Sequence, residues 1–234
     1  MNKRAVLAAA LLLAGCGQAP APNEPRTRSG FPKAARIVAP VVSPAWSTER
    51  ARDDRREADA VMEAAGVKPG MTVADIGAGE GYYTIRLAAR VGPTGRVLAE
   101  DIVPAYRDRL AERIYRERLD NVSVRLGKVV DPQLPDNSFD RVFLVHMYHE
   151  IDQPYEFLWQ VRPSLRRGGM VVVVDADRPT AQHGTPPSLL DCEFASAGYR
   201  LIRRTDMPQA GGYLALYAPH GARPEPRAMR ACHA

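Results

Sequence analysis

The sequence predicts an α/β fold: a Rossmann-like, doubly wound sheet, mostly parallel and closed by a C-terminal antiparallel pair. Three observations predict it. From Val73 to Val91 the chain reads strand, glycine turn, helix. Val73 and Ile76 suit a buried strand, Gly77, Gly79 and Gly81 suit a sharp turn, and Tyr83, Leu87, Ala88 and Val91 fall at helical spacing. Strand-like runs follow at 96–102, 121–126, 141–145 and 170–175, with helical stretches at 104–119 and 153–167 between the first and second and between the third and fourth, as parallel strands with crossovers have. The last two runs, 199–202 and 212–217, have no helix between them and read as antiparallel.

In chain order, Lys3 and Arg4 precede an apolar run from Ala5 to Ala14, too short to span a bilayer but suited to a signal-peptide core. It ends in Leu13-Ala14-Gly15-Cys16, which resembles the bacterial lipoprotein box. The resemblance implies cleavage after residue 15, lipid on Cys16 and attachment to a membrane of the cell envelope on its periplasmic side. With Gly17 rather than Asp next, the outer membrane is the default; an unused signal would leave the chain cytoplasmic. Residues 16–45 are proline-rich and read as a flexible tether, or in part (37–46) as an arm laid on the domain. The domain spans 46–219, and 220–234 is a tail.

Residues 47–65 read as one helix, capped by Ser47 or Thr48 and stopped by Gly66. Its charged stretch 50–56 is either a solvent face or a lid. A second helix, 104–119, turns Tyr106, Leu110, Ile114 and Tyr115 inward; a third, 153–167, is closed by Gly168 and Gly169; a fourth covers 188–197. The net charge of +5 is spread among alternating acids and arginines, which reads as solvated faces and no nucleic-acid patch. Cys192 and Cys232 could pair in an oxidising compartment. Oligomeric state is not written in the sequence.

The glycine turn carries the chemistry. A dinucleotide loop is Gly-x-Gly-x-x-Gly, but here the third glycine comes one residue early and Tyr82 takes its place. Asp75, two residues before the first glycine, would repel a pyrophosphate and welcome an ammonium or sulfonium. S-adenosylmethionine carries both cations and no phosphate.

Asp75-Ile76-Gly77-Ala78-Gly79-Glu80-Gly81 resembles the first motif of the class I S-adenosylmethionine-dependent methyltransferases. Lys68-Pro69-Gly70-Met71 and the run 91–97 resemble their ubiquinone-biosynthesis-like branch. The resemblance covers about Val67 to Tyr217 and implies the strand order 3-2-1-4-5-7-6, with S-adenosyl-L-methionine as cofactor. It implies a binding set of Asp75, Gly77, Ala78, Gly79, Gly81 and Tyr82 on the turn. Asp101 becomes the ribose acid, with Glu100 as the alternative, and Ile102 lines the adenine. Lys128 stands where the family has aspartate, and a lysine cannot accept from the adenine amino group. That contact falls to the Val129 backbone or to Asp131.

His146-Met147-Tyr148-His149-Glu150 follows the fourth strand, at the edge where open α/β sheets hold ligands. A metal reading would take His146-x-x-His149 with Glu150, but the His-Glu-x-x-His spacing is absent and no Cys-x-x-Cys occurs, so no metal is expected. These histidines are either structural or functional. In the functional reading His146 packs near the methionine part of the cofactor. His149, backed by Tyr148 and Glu150, then serves as base toward a small-molecule acceptor in an in-line methyl displacement. The loop 176–187, with His183, bounds the acceptor pocket. Because S-adenosylmethionine is made in the cytoplasm and the address points outward, the competing function is an exported, lipid-anchored, non-catalytic binding module that keeps the fold.

Overall fold

The computed structural model describes residues 24–41 and 47–233; the expected signal peptide at 1–15 and the expected lipidation site Cys16 lie outside the described residues. Its sheet has seven strands: β1 (Thr72–Ile76), β2 (Arg96–Asp101), β3 (Val122–Leu126), β4 (Phe139–Val145), β5 (Leu165–Asp175), β6 (Tyr199–Met207) and β7 (Gly212–Pro219). Their order is β3-β2-β1-β4-β5-β7-β6, as the sequence implied. β7 runs antiparallel to both β5 and β6, and the other pairings are parallel.

Side chains of β5 alternate between the two faces, as strand geometry requires. Val171 and Val173 pack with Phe157, Leu158 and Phe194 on one face, whereas Val172 and Val174 pack with Val61, Leu87 and Val91 on the other. Among the described residues the α-helices are α1 (Glu49–Asp54), α2 (Glu57–Ala64), α3 (Tyr82–Val91), α4 (Pro104–Glu117), α5 (Pro154–Val161) and α6 (Pro187–Ser196).

Three local expectations are corrected, and the choice between two caps is decided. The helix expected at 47–65 is two, because Arg56 adopts the left-handed conformation between α1 and α2. Thr48, not Ser47, caps α1 by accepting from the Ala51 N–H at 3.2 Å. The helix expected at 153–167 ends as an α-helix at Val161 and tightens into one 3-10 turn over Arg162–Ser164; Pro163 has no N–H to extend the α-helical ladder, and Leu165 already pairs with Phe139. Tyr115 points outward at 88% exposure; Leu110 and Ile114 define the buried face and Tyr115 lies about 100° further round.

The stretches that flank the domain among the described residues, 24–41 and 220–233, are laid on it. The stretch 24–41, expected as part of a flexible tether, buries Phe31, and the Arg36 guanidinium pairs with Glu193 at 3.0 Å with both side chains fully buried. Arg36 also donates to the carbonyls of Tyr148, His149 and Ile151, clamping the loop after β4. The tail is likewise packed. Cys232 is disulfide-bonded to Cys192 on α6, and its N–H donates to the Tyr155 hydroxyl at 2.6 Å.

Candidate functional site

The strand order reverses between β1 and β4, and a crevice must open where the crossovers leave in opposite directions. A cavity of about 310 Å³ lies at the C-terminal ends of β1, β2 and β4. That volume falls within the range of small-molecule sites, roughly 300–1,000 Å³. Of the residues expected to bind cofactor, Asp75, Gly77, Ala78, Gly79, Tyr82, Glu100, Asp101, Ile102, Val129 and His146 line it. Gly81 does not. It begins α3 at φ +87°, and an added Cβ would lie 2.4 Å from Leu110, so its absent side chain serves the packing of α4.

The turn directs its amides toward protein acceptors. The Gly79 N–H donates to Asp101 Oδ2 at 2.9 Å and the Ala78 N–H to the Glu100 carbonyl at 2.9 Å. A phosphate would find these donors engaged and three carboxylates nearby. Asp75 is buried and accepts from Thr84 Oγ1 at 2.6 Å; burial raises its pKa to about 6. Glu100 is 1% exposed, and burial, then the charge of Asp101, raise its pKa to about 8.

Glu100 and Asp101 alternate in direction along β2, yet both reach the cavity because it sits off the strand end. Asp101 is held by the amides of Gly79 and Val103. Glu100 Oε1 is buried with no hydrogen-bond partner among the described residues. It lies where any side chain at Gly127 would collide with it, at 1.5 Å from an added Cβ, so Gly127 is the space the carboxyl occupies. An orphaned buried acceptor in a cavity wall fits a ligand that brings hydroxyl donors. Ile102 and Val129, exposed at 39% and 58%, offer apolar surface to a flat ring.

The cluster after β4 is divided by its backbone. His146, left-handed at φ 55°, turns into the cavity wall, where burial depresses its pKa to about 4 and keeps it neutral. Glu150 lines the cavity; Tyr148 and His149 do not. Tyr148 is fully buried and donates to Glu193 Oε2 at 2.7 Å on the far side. His149 is 2% exposed, with Nδ1 at 3.0 Å from Asp175 Oδ1. The pairing of His149 and Tyr148 as acceptor-side groups is therefore corrected. The short turn at 148–150 directs successive side chains to different sides, which spacing along the chain could not show.

Three features complete the surroundings of the cavity, and the first two favour the lid over the solvent face for the stretch 50–56. Arg52 lines the cavity with its guanidinium 3.6 Å from the Tyr82 ring centroid and 2.6 Å from Glu57. Asp53 accepts from the Tyr82 hydroxyl and from Arg86, so α1 is tied over the start of α3 in the manner of a cover. His183 approaches His149 edge-on, with ring centroids 5.4 Å apart.

Comparison with known proteins agrees with this geometry. Residues 74–173 match the profile of a family described as a methyltransferase domain. An arsenite methyltransferase of Halobacterium salinarum is 30% identical over 135 residues, 55% of this chain and 34% of that protein. A demethylmenaquinone methyltransferase of Staphylococcus aureus is 30% identical over 124 residues, 51% of this chain and 49% of that protein. The chain thus spans about half or less of the length of these curated relatives. Among solved structures, an S-adenosylmethionine-dependent methyltransferase from Aquifex aeolicus superposes with a TM-score of 0.64 at 24% identity, covering 74% of this chain and 98% of that one.

Proposed function

We propose that the class I S-adenosylmethionine-dependent methyltransferase domain carried at residues 74–173 is catalytic, and that it transfers the methyl group of S-adenosylmethionine to a small-molecule acceptor. The observation that carries this reading is the orphaned Glu100 oxygen beside a turn whose amides are engaged. Such a site suits a hydroxyl-bearing, cationic nucleoside and rejects a phosphate. Asp101 and Glu100 accept the ribose hydroxyls, and Asp75 faces the positive end of the ligand. His146, neutral, packs beside the methionine part. The cofactor supplies the electrophilic methyl carbon, while the protein aligns acceptor, carbon and sulfur. Of the expected base His149 and its supports Tyr148 and Glu150, Glu150 borders the cavity.

The two relatives name unrelated acceptors, arsenite and demethylmenaquinone, so the acceptor of this chain is not carried over from them. The segments 68–71 and 91–97 favour the ubiquinone-biosynthesis-like branch. Isothermal titration with S-adenosylmethionine and S-adenosylhomocysteine tests the proposal. Micromolar affinity for both is expected, and at least about a tenfold loss in Asp101→Ala, which leaves hydroxyls unpaired. A folded protein that binds neither ligand would refute it.

The chain is further proposed to be exported and lipid-anchored at Cys16. The Cys192–Cys232 disulfide supports this, since such bonds persist in oxidising compartments. Loss of fatty-acid labelling in Cys16→Ser is the expected result; labelling that survives would exclude it. The same address supports the second reading, a binding module without turnover, which retained affinity with no methyl transfer to any tested acceptor would favour.

A further inference from the structure

A second cluster of donors lies beside the cavity. His149, Glu150 and His183 each offer one ligand atom, and these atoms all lie within 4.8 Å of one another. They come from two loops, the turn after β4 and the loop between β5 and α6, which the sheet brings together at one edge. His183 Nδ1 is buried and has no hydrogen-bond partner among the described residues. The backbone of His183 is fixed on both sides: its N–H donates to the Thr180 carbonyl and its own carbonyl accepts from Arg178 Nε.

Behind His149 stands Asp175. Its carboxylate accepts from the Ala176 N–H at 2.9 Å and from Thr185 Oγ1 at 2.7 Å, and it contacts His149 Nδ1 at 3.0 Å. A carboxylate can only accept, so the proton of His149 sits on Nδ1 and the lone pair on Nε2. A carboxylate that fixes the tautomer and orientation of an imidazole is the usual outer support of a metal-binding histidine.

We propose that His149, Glu150 and His183 form a binding site for a divalent transition-metal ion of the zinc class, oriented by Asp175. Two imidazoles and one carboxylate suit zinc, with a further position left for water or another ligand. Donors around a tetrahedral zinc ion lie about 3.4 Å apart, given bonds of roughly 2.0–2.1 Å. The three donor atoms, which lie within 4.8 Å of one another, would draw closer on binding the ion. The site stands apart from the methyl-transfer reading, although Glu150 borders both.

The test uses purified full chain, stripped with chelator and titrated with Zn²⁺ alone by calorimetry, with Mg²⁺ as the control. One Zn²⁺ per chain and no Mg²⁺ binding are expected. His183→Ala and Glu150→Gln should each weaken Zn²⁺ at least about tenfold, and Asp175→Asn about 10–100-fold, as outer-support substitutions do. His220→Ala should leave affinity unchanged. Thermal melting without metal keeps the test open to refutation: His183→Ala should melt like the parent, and Zn²⁺ should raise the midpoint of the parent only. Absence of Zn²⁺ binding, equal affinity in His183→Ala, or loss of binding in His220→Ala would overturn the site.

Discussion

Replacing Glu100 by glutamine should make the protein more stable at neutral pH than at acid pH, relative to the parent. Glu100 is 1% exposed, and its pKa is raised to about 8 by burial and by Asp101. In the unfolded chain the same group titrates near 4.5. Between these values the folded state holds a proton that the unfolded state has released, so stability falls as pH rises. At about pH 5 this group has cost about 1 kcal/mol of stability, and at about pH 7 about 3 kcal/mol. Glutamine keeps the shape and an acceptor for the Gly77 amide but does not ionise. The gap between Glu100→Gln and the parent should therefore shift in favour of the variant by about 2 kcal/mol over that interval. Urea unfolding at the two pH values reads it directly, because the slope with denaturant is shared and the midpoints move. A gap that stays constant with pH would mean that Glu100 is ionised and solvated, and the account of the cavity wall would fail.

Arg36→Ala leaves Glu193 buried without its partner and should cost about 3–5 kcal/mol by urea unfolding; a loss below about 1 kcal/mol would mean the arm does not hold this pair. Reducing Cys192–Cys232, separated by 40 residues, should cost up to about 4 kcal/mol of loop-closure stability, read as a drop in denaturation midpoint with dithiothreitol. Tyr148→Phe removes the bond to Glu193 and should cost about 1.5–3 kcal/mol of stability, while cofactor affinity stays unchanged; a large loss of affinity in a stable variant would return Tyr148 to the cavity. Binding of cationic S-adenosylmethionine should ionise Asp75 and Glu100 and release more protons than neutral-sulfur S-adenosylhomocysteine. Calorimetry in buffers of different ionisation enthalpy measures that difference, and equal release would remove both acids from the ligand's surroundings.

The sheet was legible because its signals are local and repeated. Each parallel strand is a continuous apolar run, and the strand–glycine–helix unit at 73–91 has few alternative structures. The cavity wall was legible for the same reason, since its residues fall at strand ends and on the turn. The residues after β4 were not. Whether His149 faces a ligand depends on a short turn, on Arg36 gripping three of its carbonyls, and on Asp175 arriving from another strand. All of these are contacts between distant parts of the chain. The break between α1 and α2 was hidden likewise, because the buried Arg52–Glu57 pair outweighs the helical preference of the residues between.

The same logic explains why the stretches 24–41 and 220–233 both meet α6. α6 carries both Glu193 and Cys192, the partners of the arm and of the tail. Neither terminal stretch has enough apolar surface to order itself. Among the contacts of each is one that is strong when buried: an ion pair for the arm and a covalent bond for the tail. The arm's anchor passes through the loop that bears His149 and Glu150, so its docking fixes the edge of the cavity and the neighbouring donor cluster together. Loosening Arg36 would thus disturb both sites through a single loop, whereas opening the disulfide would release the tail and leave that loop clamped.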